Sequence, residues 1–236
     1  MKKLVVKKNI GYFKFSVIEF LVAMGVFLFA IILFSLTANE VVFEKDNQFD
    51  LHVFNFIASY DSPTITKMAK FVTNFGSVFF LIPAYLTIIF YLKQVKKIRE
   101  AIMVAIVASV SILSGWLLKD IFHRARPNSP LIASVRGYSF PSGHSLGAFT
   151  FSGVLIYLLL LTSIPNYLKW ILSVLLILFA LLIAFSRIYL RVHFASDVFG
   201  SLLVAIVWLS LTFILLETIK KKSNMHNPQD NQFPGI

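Results

Sequence analysis

The chain has 236 residues, 58% of them hydrophobic and 14% charged, with a formal net charge of +11 and a mean hydropathy of +0.80. That balance excludes an ordinary soluble domain and points to an integral membrane protein, while lysines gathered beside apolar runs, instead of along one stripe, argue against a nucleic-acid partner. The absence of cysteine removes disulfides, thiolate metal sites and cysteine nucleophiles.

A basic segment, residues 1–14, opens the chain with Lys2, Lys3, Lys7, Lys8 and Lys14. The apolar stretch after it, Phe15–Leu36, is long and has no small-residue cleavage site, so it predicts a retained helix and not a removed signal peptide. Glu19 lies near the basic end of this stretch, where a long side chain can snorkel to the interface. Further stretches near the roughly 20 residues needed to cross a bilayer are Phe75–Leu92, Ala101–Leu118, Gly143–Leu161, Leu168–Leu190 and Val198–Leu216. They predict an all-α polytopic membrane protein whose six transmembrane helices occupy residues 15–217.

The connection Thr37–Asn74 is rich in acids, with Glu40, Glu44, Asp46, Asp50 and Asp61. Within it "FDLHVFNFIAS" repeats apolar residues at helical spacing, which predicts a short interfacial helix in the first outer loop. "KQVKKIRE" between spans two and three, Lys169 between four and five, and Lys220–Lys222 after six share one side with the N-terminus if there are six crossings. The positive-inside rule makes that side, and both termini, cytoplasmic. Residues 218–236 are expected to form a disordered cytoplasmic tail. Small residues at Ser109, Ser111, Ser114 and Gly115, at Gly147, Ser152 and Gly153, and at Gly200 and Ser201 predict close packing of spans three, four and six.

In this topology every polar cluster falls at the outer ends of the spans. Lys119 and Arg126 follow span three, Ser142, Gly143 and His144 open span four, Ser186 and Arg187 close span five, and His193 and Asp197 open span six. Lys119, Arg126 and Arg187 suit a polyanion such as phosphate, because guanidinium forks match its oxygens in bidentate geometry. A helix start at "PSGH" adds free N–H groups, with Ser142 a hydroxyl donor or an N-cap. His193 and Asp197 lie four apart on one helical face, so the carboxylate can hold one imidazole nitrogen and leave the other as nucleophile. His144 has no local carboxylate and suits a general acid for a leaving oxygen.

"KDIFHRARP", "PSGH" and "SRIYLRVHFASD" resemble, in order and without a gap in spacing, the three signature motifs of the type 2 phosphatidic acid phosphatase (PAP2) superfamily. The resemblance implies a membrane lipid phosphatase in which His193 forms a phosphohistidine, Asp197 orients it and His144 protonates the leaving group. It implies phosphate binding by Lys119, Arg126, Ser142, Gly143 and Arg187, with neither metal nor cofactor. Arg191 stands where the family commonly has glycine and Ala195 where it commonly has proline; Arg191, like Arg124 and His123, reads first as an exposed interfacial side chain, with contact to a second phosphate or a lipid headgroup as the alternative, and Asp120 reads as a local charge partner for Lys119. The substrate is expected to be a lipid phosphate in the membrane, first undecaprenyl diphosphate, then phosphatidylglycerophosphate or phosphatidic acid, cleaved on the periplasmic or extracellular face of a bacterial inner membrane. A lipid phosphotransferase, for instance to lipid A, and a non-catalytic lipid transporter or scaffold are the rival functions.

Overall fold

The computed structural model describes residues 17–133 and 135–226, with side chains to residue 215. The basic segment 1–14 and the last ten residues of the expected tail therefore lie outside the described residues. Eight α-helices follow one another among the described residues: α1 Val17–Ala38, α2 Gln48–Ala58, α3 Pro63–Thr73, α4 Val78–Gln94, α5 Ile98–Phe122, α6 Gly143–Leu160, α7 Asn166–Tyr189 and α8 Ala195–His226. Five of them, α1 and α5 to α8, are long and apolar enough to cross a membrane. The sixth candidate is a bent pair, α3 and α4, which meet at 43° across a break at Ser77.

The connection between α1 and α4 differs from expectation because it holds two helices instead of one. α2 covers the predicted interfacial segment, and α3 follows it from an N1 proline, Pro63. α3 buries Ala69 and Thr73 while Lys67 and Lys70 stay exposed, a pattern too short and too polar to register as a span. α1 is prolonged by a π-helical turn at Asn39–Phe43. At the other end of the chain α8 continues to His226, so the expectation of disorder from residue 218 does not hold for the helical residues up to 226.

α6 lies at the centre, packed against α5, α7 and α8, with α1 against α8 and α4 against α5. In lipid there is little hydrophobic gain from joining helices, so close approach and interhelical hydrogen bonds do the joining. Ser111 of α5 meets Thr150 of α6 at 3.0 Å, and Trp208 of α8 donates to Ser114 of α5 at 3.0 Å. Ser109, by contrast, is exposed. α1 buries only Ala30 and Ala38, consistent with a lipid-facing helix, yet its Phe34 stacks on Phe140 at 5.6 Å. Phe122 meets both rings edge-on, which pins the loop before α6 to the bundle.

Candidate active site

The ends of α5 and α7 and the starts of α6 and α8 meet at one end of the bundle, and each carries charge where its helix favours it. Lys119 and Arg187 sit in the last turns of α5 and α7, and Asp197 in the first turn of α8. Cations at helix C-termini and an acid at an N-terminus complement the backbone dipoles. α5 ends where His123 adopts a left-handed conformation with φ of 48°. The loop that follows is stitched down by Ser139 N–H to Arg124 O at 2.8 Å, Leu131 N–H to Leu190 O at 3.0 Å and Ser142 N–H to Asp197 O at 3.2 Å. Ser201 donates to both Ser142 O, at 2.8 Å, and Asp197 O, at 2.7 Å, so the α6 start is locked onto α8.

His193 is 2% exposed. Its Nδ1 faces Asp197 Oδ2 at 3.3 Å, and its Nε2 faces Arg126 Nη1 at 3.1 Å. Arginine can only donate, so Nε2 is the acceptor and the ring proton belongs on Nδ1, toward the carboxylate. That tautomer leaves a lone pair on Nε2. Burial, then Lys119, Arg126 and Arg187, holds the His193 pKa well below its usual 6.5, with a hydrogen bond to the Ser139 backbone acting the other way.

The cations fan around this ring. Arg126 is fixed by Nε to Gly137 O at 2.9 Å and Nη1 to Val192 O at 2.7 Å; burial lowers its pKa, and Asp197 opposes that. Lys119 Nζ donates to Tyr138 O at 2.7 Å and Ser139 O at 3.3 Å, and its Cε lies 4.0 Å from where a Cβ on Gly143 would stand. Arg187 is 3% exposed and donates from Nη1 to Thr73 at 2.6 Å, while its buried Nε has no hydrogen-bond partner among the described residues. A buried donor without a partner beside two further cations is what an anion-binding site requires. Gly143 is exposed, and His144, half-buried, lies within electrostatic reach of Arg187, His193, Arg126 and Lys119. Ser142 is the N-cap of α6; its hydroxyl accepts from Ser145 N at 3.4 Å and Ser145 Oγ at 2.9 Å. The residues singled out in the sequence thus converge on one end of the bundle.

Three readings are corrected. Arg124 is buried, 7% exposed, and hydrogen-bonds Asp50, Asn47, Ser196 and Asp197. Arg191 is half-buried, paired with Asp61 and set over the Phe54 ring at 5.3 Å. Lys119 makes no ion pair with Asp120 among the described residues; Asp120 is exposed, and Lys119 turns to backbone carbonyls instead. His123 is exposed as expected, edge-on to Tyr138 at 4.4 Å. Asp50 and Thr73 carry no signal in the sequence beyond membership of the connection Thr37–Asn74. Among the described residues no group of three or more His, Cys, Asp or Glu could hold a metal ion.

Residues 99–221, more than half of the chain, match the PAP2 superfamily. The chain belongs to this family. Among curated proteins it is 27% identical over 161 residues to phosphatidylglycerophosphatase B of Bacillus subtilis (strain 168), covering 67% of this chain and 79% of that one. It is 28% identical over 193 residues to the undecaprenyl-diphosphatase of Sulfolobus acidocaldarius, covering 77% and 86%. A crystal structure described as the first transmembrane PAP2 type phosphatidylglycerolphosphate phosphatase, from Bacillus subtilis, superposes with a TM-score of 0.74 at 23% identity, over 84% of this chain and 96% of that one. The fold is therefore that of a multi-pass membrane PAP2 phosphatase.

Proposed function

We propose that this PAP2 protein hydrolyses the terminal phosphate of a lipid phosphate at the extracytoplasmic face of a bacterial inner membrane, through a phosphohistidine and without a metal. One observation carries the reading: His193 Nε2 faces Arg126 within the group formed by Lys119, Arg187 and His144, and the buried Arg187 Nε has no hydrogen-bond partner among the described residues. Arg126, Lys119, Arg187, Ser142 and the α6 N-terminus at Gly143 hold the phosphoryl oxygens and the charge that develops on them. Nε2 attacks phosphorus, the bond from phosphorus to the lipid-side oxygen breaks, and His144 gives that oxygen a proton. Asp197 holds the Nδ1 proton as the ring becomes cationic. Water then attacks phosphorus, His144 takes its proton, and the P–N bond breaks to release inorganic phosphate.

Undecaprenyl diphosphate is the first substrate, supported by the name of the Sulfolobus relative, and phosphatidylglycerophosphate the second, supported by that of the Bacillus relative. The decisive test assays purified protein on a panel of phosphorylated lipids, with and without EDTA. The expected result is phosphate release unaffected by EDTA, transfer of label to an acid-labile protein adduct, and a loss of at least about 1,000-fold in kcat for His193→Ala. Unchanged release by His193→Ala would rule out the mechanism, and label appearing on an added acceptor lipid instead of as phosphate would make the protein a transferase.

A further inference from the structure

The carboxylate that holds His193 is itself held by Arg124, which lies in the first motif stretch without being one of the site residues named so far, and Arg124 is held in turn by Asn47 and Asp50 from outside the motifs. Arg124, Asp50 and Asp197 have side chains 6%, 1% and 0% exposed. Arg124 Nη1 donates to Asp197 Oδ1 at 2.6 Å and to Ser196 Oγ at 2.7 Å. Its Nη2 donates to Asp50 Oδ2 at 2.6 Å and to Asn47 Oδ1 at 2.7 Å. Asp50 closes the circuit by accepting from Ser196 N at 2.9 Å and Ser196 Oγ at 2.5 Å. The guanidinium plane lies over the Phe194 ring, 4.4 Å from its centroid.

The two oxygens of Asp197 therefore have separate tasks. Oδ1 takes the charge-assisted bond from Arg124, while Oδ2 takes Phe194 N–H at 2.9 Å and faces His193 Nδ1 at 3.3 Å. In so dry a place, turning the carboxylate away from Arg124 would leave charge unpaired, which is costly. A freed or protonated Asp197 leaves the tautomer to the Arg126 contact on Nε2 alone, and it no longer aims the ring or stabilises the charge the imidazole gains as Nε2 attacks phosphorus.

We propose that Arg124 and Asp50 are positioning residues for phosphoryl transfer: Asp50, from the outer helix α2, fixes Arg124, and Arg124 fixes Asp197 in the orientation that keeps Nε2 of His193 nucleophilic. This rests on the phosphohistidine reading above. Neither side chain hydrogen-bonds the side chains of Lys119, Arg126 or Arg187 among the described residues, so the network reaches the phosphate-binding cations only indirectly, through Asp197 and through Ser139, which donates to Arg124 O and accepts from Lys119.

The test is steady-state kinetics of the full-length enzyme in detergent on a lipid phosphate that the wild type hydrolyses, with the folded fraction of each variant measured by thermal melting. Arg124→Gln is expected to lower kcat by about 10–100-fold while KM stays within about twofold, the size typical for outer partners of a functional imidazole. Asp50→Asn should lower kcat in the same way but less, and Arg124→Lys should recover part of the loss. The double variant should lose little more than Arg124→Gln, because the two residues act through one chain of contacts. Unchanged kcat per folded molecule, or a rise in KM alone, overturns the proposal. If Arg124→Gln does not fold, the near-isosteric Asp50→Asn decides by the same criteria. An inactive wild type, or an active His193→Ala, would instead refute the reading on which it rests.

Discussion

His193 carries a testable signature of its seat. It faces Lys119 from α5, Arg126 from the following loop, Arg187 from α7, His144 from α6 and Asp197 from α8. Burial and the cations push its pKa well below 6.5, so the ring is already neutral at pH 6.5 and stays so as the pH falls. Since attack needs the neutral ring, the acid limb of kcat/KM, which reads the free enzyme, should lie below pH 6.5, while any loss toward alkaline pH reports His144, which must carry the proton it donates. An acid limb centred at 6.5 or above would place His193 in a wetter, less cationic setting than the structure shows. Arg191 shows how a departure from pattern can be read. Its φ is 56°, in the left-handed region where a Cβ is crowded, which accounts for the glycine common there in the family. Here the arginine spans the gap to Asp61 instead.

Between α3 and α4 a short 3₁₀ turn, Asn74–Gly76, presses against the start of α6. A Cβ on Gly76 would stand 2.7 Å from Ile183 Cγ2 and 2.9 Å from the backbone oxygen of His144. Backbone does not yield as a flexible side chain does, so Gly76→Ala should destabilise the protein by about 1–3 kcal/mol, measured as a lower melting temperature in detergent, and shift His144 enough to reduce kcat. Full stability and activity in the Gly76→Ala protein would show that this contact is looser than drawn. The same region marks the limit of what could be read in advance. The motif residues were legible because their chemistry and spacing are local, His193 to Asp197 above all. α3 was not, since two exposed lysines break its apolar pattern and its partner, α7, is over a hundred residues on. Arg124 reads as exposed in the sequence for a related reason: nothing near "HRARP" announces that Asp50 folds back upon it.

The bundle as a whole separates its charges. The cations and histidines of the site gather at one end with α2 and α3, whereas Lys93, Lys96, Lys97 and Arg99 join α4 to α5 at the other. Because the chain has no cysteine, single introduced thiols report sidedness against a blank background. Asn55→Cys on α2 is expected to react with an impermeant maleimide on intact cells, and Gln94→Cys only after lysis; the reverse pattern would invert the proposed topology. The near-complete enclosure of His193, 2% exposed, has one more consequence on the proposed mechanism. The departing lipid oxygen and the incoming water both use the side of phosphorus that His144 serves, opposite the buried Nε2, so the dephosphorylated lipid must withdraw before water can enter. The bilayer that receives the departing molecule then helps set the pace of turnover, and a stiffer or more crowded membrane would keep the phosphorylated protein waiting.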